Sequence, residues 1–302
     1  MSSPLFRWVV ASPLSLGQLL EQQGLLSALG DGRVFVDAKR ANEATLALPV
    51  SAAVEVFAPR ASASITVLSE LDEVFAVHKP AALPTEPDKS GADCVLGQLA
   101  KLMCVELEGL FAVSRLDVGV SGVLLVTLGA RSRELMLAER AGGRLRRRYV
   151  ALAAGLPEPA EGDWRDALGA AGAGRRAVDG RDAQKAHSQY RVVATANPTT
   201  RESSGTALLA LTPITGRTHQ LRVQASAHGA PILGDRKYQG PPRMTAKDGS
   251  VHAFTQILLH AAWVEWGFEG ERRRVTSEPA AALVDAWLAL GGDLAAIQRA
   301  LD

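Results

Sequence analysis

Chemistry in this chain is most concentrated in Ser114-Arg115-Leu116-Asp117-Val118-Gly119-Val120-Ser121-Gly122, which runs straight into the apolar Val123-Leu124-Leu125-Val126. An arginine and a carboxylate sit in a turn that feeds a strand too apolar to be exposed. Gly119 and Gly122 let the backbone bend where other residues resist it. A polar pair held at the root of a buried strand suits charge-based catalysis. On this stretch alone, an ordinary Arg-Asp pair on a surface turn is an equally good reading. A second charged feature follows. From Arg131 to Arg148 lie seven arginines (131, 133, 140, 144, 146, 147 and 148) against Glu134 and Glu139, a local balance of +5. Taken alone, such a run is most often a solvated face.

The elements that must position these groups are readable from periodicity. Val74–Val77 is a short buried strand, and Val95–Leu107 has helical apolar spacing. Val123–Leu128 is a strand, Ala130–Arg140 a helix stopped by Gly142-Gly143, and Tyr149–Ala153 a strand. Pro80, Pro84 and Pro87 make the segment from 80 to 91 irregular, because proline removes ladder donors. Residues 156–182 show weak periodicity and read as a variable connection, a mobile hairpin region. Ala186–Thr195 and Thr206–Thr212 are strand-like around a turn at Asn197-Pro198. Thr218 is placed to cap a helix running to His228, with Gly229 ending it. Leu283–Leu290 reads as the terminal helix. Strands and helices mix without regular alternation, and no phosphate-binding glycine loop is present. The fold class expected is α+β, a mixed, largely antiparallel sheet with flanking helices.

A chain of 302 residues with 47% hydrophobic content holds one large domain and a small one. Residues 1–60 read as the small one, with helical spacing at Leu16, Leu19 and Leu20 and short strands at Val34–Val36 and Val54–Phe57. Residues 58–64 are a plausible linker before a domain spanning 65–302. Cys94 and Cys104 show no metal or redox spacing, and neither do the six histidines, so a reduced, cytoplasmic setting without metal is expected. No apolar run approaches the ~18 residues that would span a bilayer. A net charge of +1 argues against indiscriminate coating of nucleic acid.

The stretches around these residues resemble, in order, the RluA-type family of RNA pseudouridine synthases. Arg115-Leu116-Asp117 with Ser121-Gly122 resembles its central motif, and His78-Lys79-Pro80-Ala81-Ala82-Leu83-Pro84 its Lys-Pro segment. Arg148-Tyr149-Val150-Ala151-Leu152 through Gly155 is similar to its basic-Tyr strand. Thr215-Gly216-Arg217-Thr218-His219-Gln220-Leu221-Arg222-Val223 is nearly its most specific motif. Pro231–Asp235 and Leu258–Ala261 follow at the expected distances. The resemblance covers roughly residues 65 to 290.

It implies a pseudouridine-synthase-like fold and isomerisation of specific uridines in structured rRNA or tRNA. Such a protein would be cofactor-free, with RNA as its partner, no membrane association and a monomeric state. Asp117 would be the catalytic carboxylate, Arg222 its paired cation and Tyr149 the ring packed on the uracil. Arg115 would fill the gap left by a flipped base, and Leu259 would lie under the base. Arg217, His219, Arg146, Arg147 and Arg148 complete the expected substrate-binding set; beside the family match, the arginine run becomes a phosphate strip. A non-catalytic RNA-binding relative is the alternative. A carboxylate-dependent hydrolase would need a second acid, and none is implicated. The chain departs from the family at three places: Ser114 stands where His is usual, Val118-Gly119-Val120 replaces a more polar run, and Gln224 stands where His is common. These bear on substrate choice and turnover more than on reaction type. Residues 1–60 vaguely resemble a small S-four-type RNA-binding domain, but five basic and five acidic residues balance there, leaving no phosphate-seeking face.

Overall fold

The structure, a computed structural model, describes residues 4–30, 33–57, 63–87, 93–196, 205–268 and 270–302. The expected linker and the Asn197-Pro198 turn fall largely or wholly outside them. Before residue 58 lie strands β1 (Phe6–Val9), β2 (Leu14–Ser15), β3 (Val34–Val36), β4 (Lys39–Arg40), β5 (Ala47–Leu48) and β6 (Ala53–Val56), with helices α1 (Leu16–Gln22) and α2 (Ser27–Gly30). Four strands form a sheet in the order β1-β6-β3-β4, and β2 pairs with β5. Ser15 and Gln18 close a capping box on α1. Leu16, Leu19 and Leu20, at helical spacing, pack with Val34, Leu48, Val54 and Val56 into a core of their own.

The rest of the chain is organised by one eleven-stranded sheet. Its members are β7 (Thr66–Leu71), β8 (Val74–Lys79), β9 (Leu110–Ala112), β10 (Ser121–Leu128), β11 (Arg146–Ala154), β12 (Glu161–Ala170), β13 (Arg176–Val178), β14 (Arg181–Ala196) and β15 (Thr206–Pro213), then β18 (Leu259–Phe268) and β19 (Glu271–Thr276) after a separate hairpin of β16 (Arg243–Thr245) and β17 (Val251–Ala253). The main path runs β13-β12-β14-β15-β11-β18-β10-β8-β7. Every described pairing in it is antiparallel except β10 with β18. The sheet is therefore mixed and largely antiparallel, and with its helices the class is α+β. The helices are α3 (Val95–Met103), α4 (Ala130–Ala141), α5 (Gln220–Ala227), α6 (Ala281–Ala289) and α7 (Leu294–Leu301).

Alternation along β11 divides the two faces of the sheet. Val150 and Leu152 enter a core built with Trp287 of α6 and Ile297 of α7. Tyr149, Ala151 and Ala153 enter the opposite core, with Leu99 of α3 and Leu221 and Ala225 of α5. At the parallel junction Gly122 pairs with Ala261. A Cβ at Gly122 would lie 2.2 Å from the Ala261 carbonyl oxygen, and its φ of +116° suits glycine, so close approach and backbone both require that residue.

Four expectations are corrected. Residues 156–182 hold the expected hairpin, β12 with β13, but are not a loose connection: Glu161–Ala170 also pairs along most of its length with β14, whose outer end is exposed and hides the periodicity. Thr218 does not cap α5, because the chain reverses at His219, which occupies the cap position in the left-handed region (φ 57°) with no side-chain cap bond. The helix from Val95 stops at Met103, where Cys104 turns left-handed. A further helix, α7, follows α6, capped by Asp293 accepting from the Ala296 amide at 2.7 Å. Among the described residues no helix is long and apolar enough to cross a membrane.

Candidate active site

The turn that carries Asp117 is held from behind. Lys79, at the end of β8, is fully buried. Its ammonium donates to the carbonyls of Pro80 (3.0 Å), Leu83 (2.7 Å) and Val118 (3.2 Å). Those three carbonyls match the three N–H donors of the group. Burial pushes the Lys79 pKa down to about 7, against the upward pull of Asp117. Thr85 donates to the Leu116 carbonyl at 2.9 Å and accepts from its amide at 3.2 Å. One residue past the turn's end, Ser121 meets His260 Nδ1 at 2.9 Å, while His260 Nε2 faces the Ser277 carbonyl at 3.1 Å. A carbonyl only accepts, so Nε2 carries the proton and Nδ1 accepts from the Ser121 hydroxyl. Burial holds the His260 pKa down to about 4, keeping the ring neutral.

On the other side stands Arg222, projected by α5. Its Nε and Nη2 make a fork onto Asp235, at 2.6 and 2.7 Å, and its Nη1 reaches Asp117 Oδ2 at 2.8 Å. The two-pronged contact of Arg222 thus falls on Asp235, and Asp117 receives one prong. Burial alone would lower the Arg222 pKa, but the two carboxylates reverse that and raise it. Tyr238 lies against the same guanidinium, Cζ 4.9 Å from the ring centre. His219 Nδ1 is hydrogen-bonded with the Tyr238 hydroxyl at 2.5 Å, and its Nε2 lies 3.9 Å from Asp117. Its pKa is lowered, chiefly by burial, so it adds little positive charge beside the carboxylate. The loop before α5 hangs on buried Gln220, whose Oε1 accepts from Thr215 Oγ1 (2.7 Å) and the Arg217 amide (2.9 Å). Its Nε2 donates to Ser188 Oγ and the His187 carbonyl.

A cavity of about 890 Å³ opens over these groups. Asp117, Arg222, Tyr149, Arg115, Leu259, Arg217, His219 and Arg147 all line it. Tyr149 sits opposite Ala261 on β18, and Leu259 is two residues earlier on that strand, so ring and leucine share one face. Arg146 and Arg148 are not on the wall. Alternation sends them to the other face of β11, where Arg148 lies 5.6 Å over the ring of Trp263. The expectation of a lone acid is also modified: Glu86 lines the rim, its carboxylate 3.4 Å from Arg115. Among the described residues no cluster of His, Cys, Asp and Glu is arranged to hold a metal.

The family model described as RNA pseudouridylate synthase matches residues 73–227. The dual-specificity RNA pseudouridine synthase RluA of Escherichia coli K12 is 30% identical over 210 residues, covering 66% of this chain and 89% of that protein. An uncharacterised RNA pseudouridine synthase of Zymomonas mobilis is likewise 30% identical, over 68% of this chain and 89% of its own length. This chain belongs to the RNA pseudouridine synthase family. The solved structure of human RNA pseudouridylate synthase domain containing 1 shares the fold at a TM-score of 0.60 and 20% identity, over 81% of this chain and 97% of that one. The chain is therefore an RNA pseudouridine synthase, an isomerase of uridines in RNA.

Three residues of the synthase site escaped sequence reasoning: Asp235, Tyr238 and Lys79. Asp235 and Lys79 lie inside segments that match the family, yet nothing in a lone Asp or Lys signals burial beside a partner far along the chain. Tyr238 carries no local signal, whereas Arg140 belongs to the arginine run read as a phosphate strip and does line the cavity. Gln224, one of the departures from the family, is fully buried. It donates to the Trp164 carbonyl (3.0 Å) and Asp166 (2.7 Å) and accepts from Ser188 (2.7 Å), tying α5 to β12 and β14.

Proposed function

We propose that this synthase converts a specific uridine of a structured rRNA or tRNA to pseudouridine, in the cytoplasm and as a monomer, with Asp117 as the catalytic carboxylate. The observation that carries the reading is the convergence of Asp117, Arg222, Tyr149 and Leu259 on one cavity although they lie far apart in the chain. The reaction breaks the glycosidic bond, turns the released uracil and rejoins it through carbon. Atoms and oxidation state are conserved, so the chemistry consumes no co-substrate. Tyr149 and Leu259 supply a flat apolar slot in which the base turns without escaping. Aromatic stacking on a base is worth ~1–3 kcal/mol. Asp117 acts as a carboxylate, either attacking the sugar carbon or removing a sugar proton, and the Arg222 contact holds it aimed. Arg115, exposed at the rim, enters the stack where the base leaves, offsetting part of the few kcal/mol that extrusion costs. Catalysis is assigned to residues 65–302, and residues 1–60 form a separate unit outside the chemistry.

The test is to delete the gene in its native cell and map pseudouridines across the transcriptome. A site that vanishes, returns with wild type and stays absent with Asp117→Asn supplies both reaction and substrate. Restoration by Asp117→Asn would remove the carboxylate from the mechanism.

A further inference from the structure

Three arginines on the cavity wall have no carboxylate partner among the described residues. They come from three places: Arg140 from the last turn of α4, Arg147 from β11 and Arg217 from the loop before α5. Among the described residues each guanidinium hydrogen-bonds only to a backbone carbonyl: Arg140 Nη1 to Val113 (2.9 Å), Arg147 Nη2 to Thr215 (3.4 Å) and Arg217 Nε to Lys185 (3.1 Å). A guanidinium has five N–H donors, so most of theirs are unspent. Arg147 Nε is buried with no hydrogen-bond partner among the described residues.

Two of the three converge on one point. A Cβ built on Gly216 would lie 3.4 Å from Arg140 Nη2 and 3.6 Å from both Arg147 Nη1 and Nη2. The backbone of Gly216 is not in the left-handed region, and those distances are ordinary contacts, so the fold does not require glycine there. What its missing side chain leaves is a small opening faced by two guanidinium groups. Arg217 adds a third charge: Arg140 has its pKa lowered by burial first, then by Arg147 and by Arg217. Arg115 is a different case, since Glu86 already holds it.

We propose that Arg140, Arg147 and Arg217 form a clamp for one backbone phosphate of the RNA, seated over Gly216 beside the uridine slot. The clamp rests on the reading of the cavity as a uridine site and specifies how the strand is gripped there. A phosphodiester carries one charge and two free oxygens, which the planar forks of two arginines engage while the third neutralises. A tripod on one phosphate differs from three independent contacts along the strand in how binding responds to salt. For single-stranded nucleic acid each neutralised phosphate contributes ~0.7 to the slope of log affinity against log salt.

The experiment measures that slope with fluorescein-labelled octauridylate bound to the full-length protein, in an Asp117→Asn background that prevents turnover, by anisotropy across a KCl series. Replacing Arg140, Arg147 and Arg217 together by Gln should lower the slope by ~0.7, one phosphate's worth. A loss near ~2.1, as for three separate phosphates, overturns the clamp, and so does an unchanged slope or no measurable binding of the parent. Gly216→Ala keeps every charge and fills the opening. It should give the same ~0.7 loss with an unchanged melting temperature, and an unchanged slope in this variant also overturns the proposal. Inorganic phosphate added at matched ionic strength distinguishes the two sources of the anion. Displacement of octauridylate from the parent but not from the triple variant supports the clamp. Equal displacement from both overturns it. No turnover enters these measurements, so absence of isomerisation in cells would remove the proposed function while leaving the clamp measurable.

Discussion

The back and the front of the cavity are built to opposite rules. Behind it, Lys79 and His260 are fully buried and Asp235 is 1% exposed, and each polar group there has a partner of matching chemistry. In front, the Asp117 side chain is 26% exposed and receives one hydrogen bond from Arg222, and Arg147 Nε has no partner among the described residues. The back resembles a protein core in which polar satisfaction is complete; the front is a core left unfinished. Groups held rigidly from behind need no reorganisation when charge develops in front of them, and this is how a preorganised site lowers a barrier. Substitutions behind should therefore act through stability, and substitutions in front through binding or turnover.

The largest effect expected is at Asp117. Asp117→Asn should reduce isomerisation to background while changing unfolding free energy by less than about 1 kcal/mol, as for a partly exposed ion pair. Urea unfolding and pseudouridine assay of the same preparation check both halves. A variant that is inactive because it has unfolded would erase the distinction between front and back.

Asp235→Asn is the complementary case. It strips the charge from a carboxylate whose two oxygens hold the Arg222 fork in a site closed to water. Breaking a buried pair on one side costs ~3–5 kcal/mol, because the remaining charge loses its compensation. The midpoint of urea unfolding should fall accordingly. A loss below about 1 kcal/mol would mean that Arg222 is held by Asp117 alone.

The same division explains what could be read from the chain. Front residues were legible because their neighbours in sequence carry them: Arg115 with Asp117 in one turn, Arg217, His219 and Arg222 in one loop and helix, Tyr149 in its strand. The back was not, because its partners meet only through folding. Lys79 and Val118 are separated by the whole of α3 and β9, and Ser121 meets His260 through the parallel pairing of β10 with β18. The arginine run shows the limit of charge counting. Composition put Arg146, Arg147 and Arg148 in one strip, while strand alternation sends the middle one to the cavity and its neighbours to the other face. Fold class survived such errors because burial patterns of β10, β11 and β15 are strong, whereas β12 and β14 extend past the core and lose their alternation.

A smaller effect sharpens the back of the comparison through pH. The His260 pKa lies at about 4 in the fold, against an ordinary 6.5. Above pH 6.5 both folded and unfolded chains carry the ring neutral, and its contribution is whole. As pH falls from 6.5 to 4 the unfolded chain takes up a proton that the folded chain refuses, so stability declines across that window. The difference corresponds to about 3 kcal/mol, with His78, also lowered by burial, adding in the same direction. His260→Gln should flatten this decline in urea titrations between pH 6.5 and 4. A decline of unchanged steepness would assign it to other groups and leave Ser121 without its neutral anchor.

The smallest effect tests the rim. Arg115 and Glu86 are 65% and 39% exposed at the side chain, so Arg115→Ala should alter stability by less than about 1 kcal/mol. If the arginine fills the space of an extruded base, its loss matters only where extrusion is required. Affinity for a hairpin that presents the target uridine within a stack should then fall roughly tenfold, which is about 1.4 kcal/mol. Affinity for an unstacked oligonucleotide of the same sequence should scarcely change. Equal losses on both RNAs would make Arg115 a plain phosphate contact, and the front of the cavity would then recognise charge where the hairpin result would have it recognise an open stack.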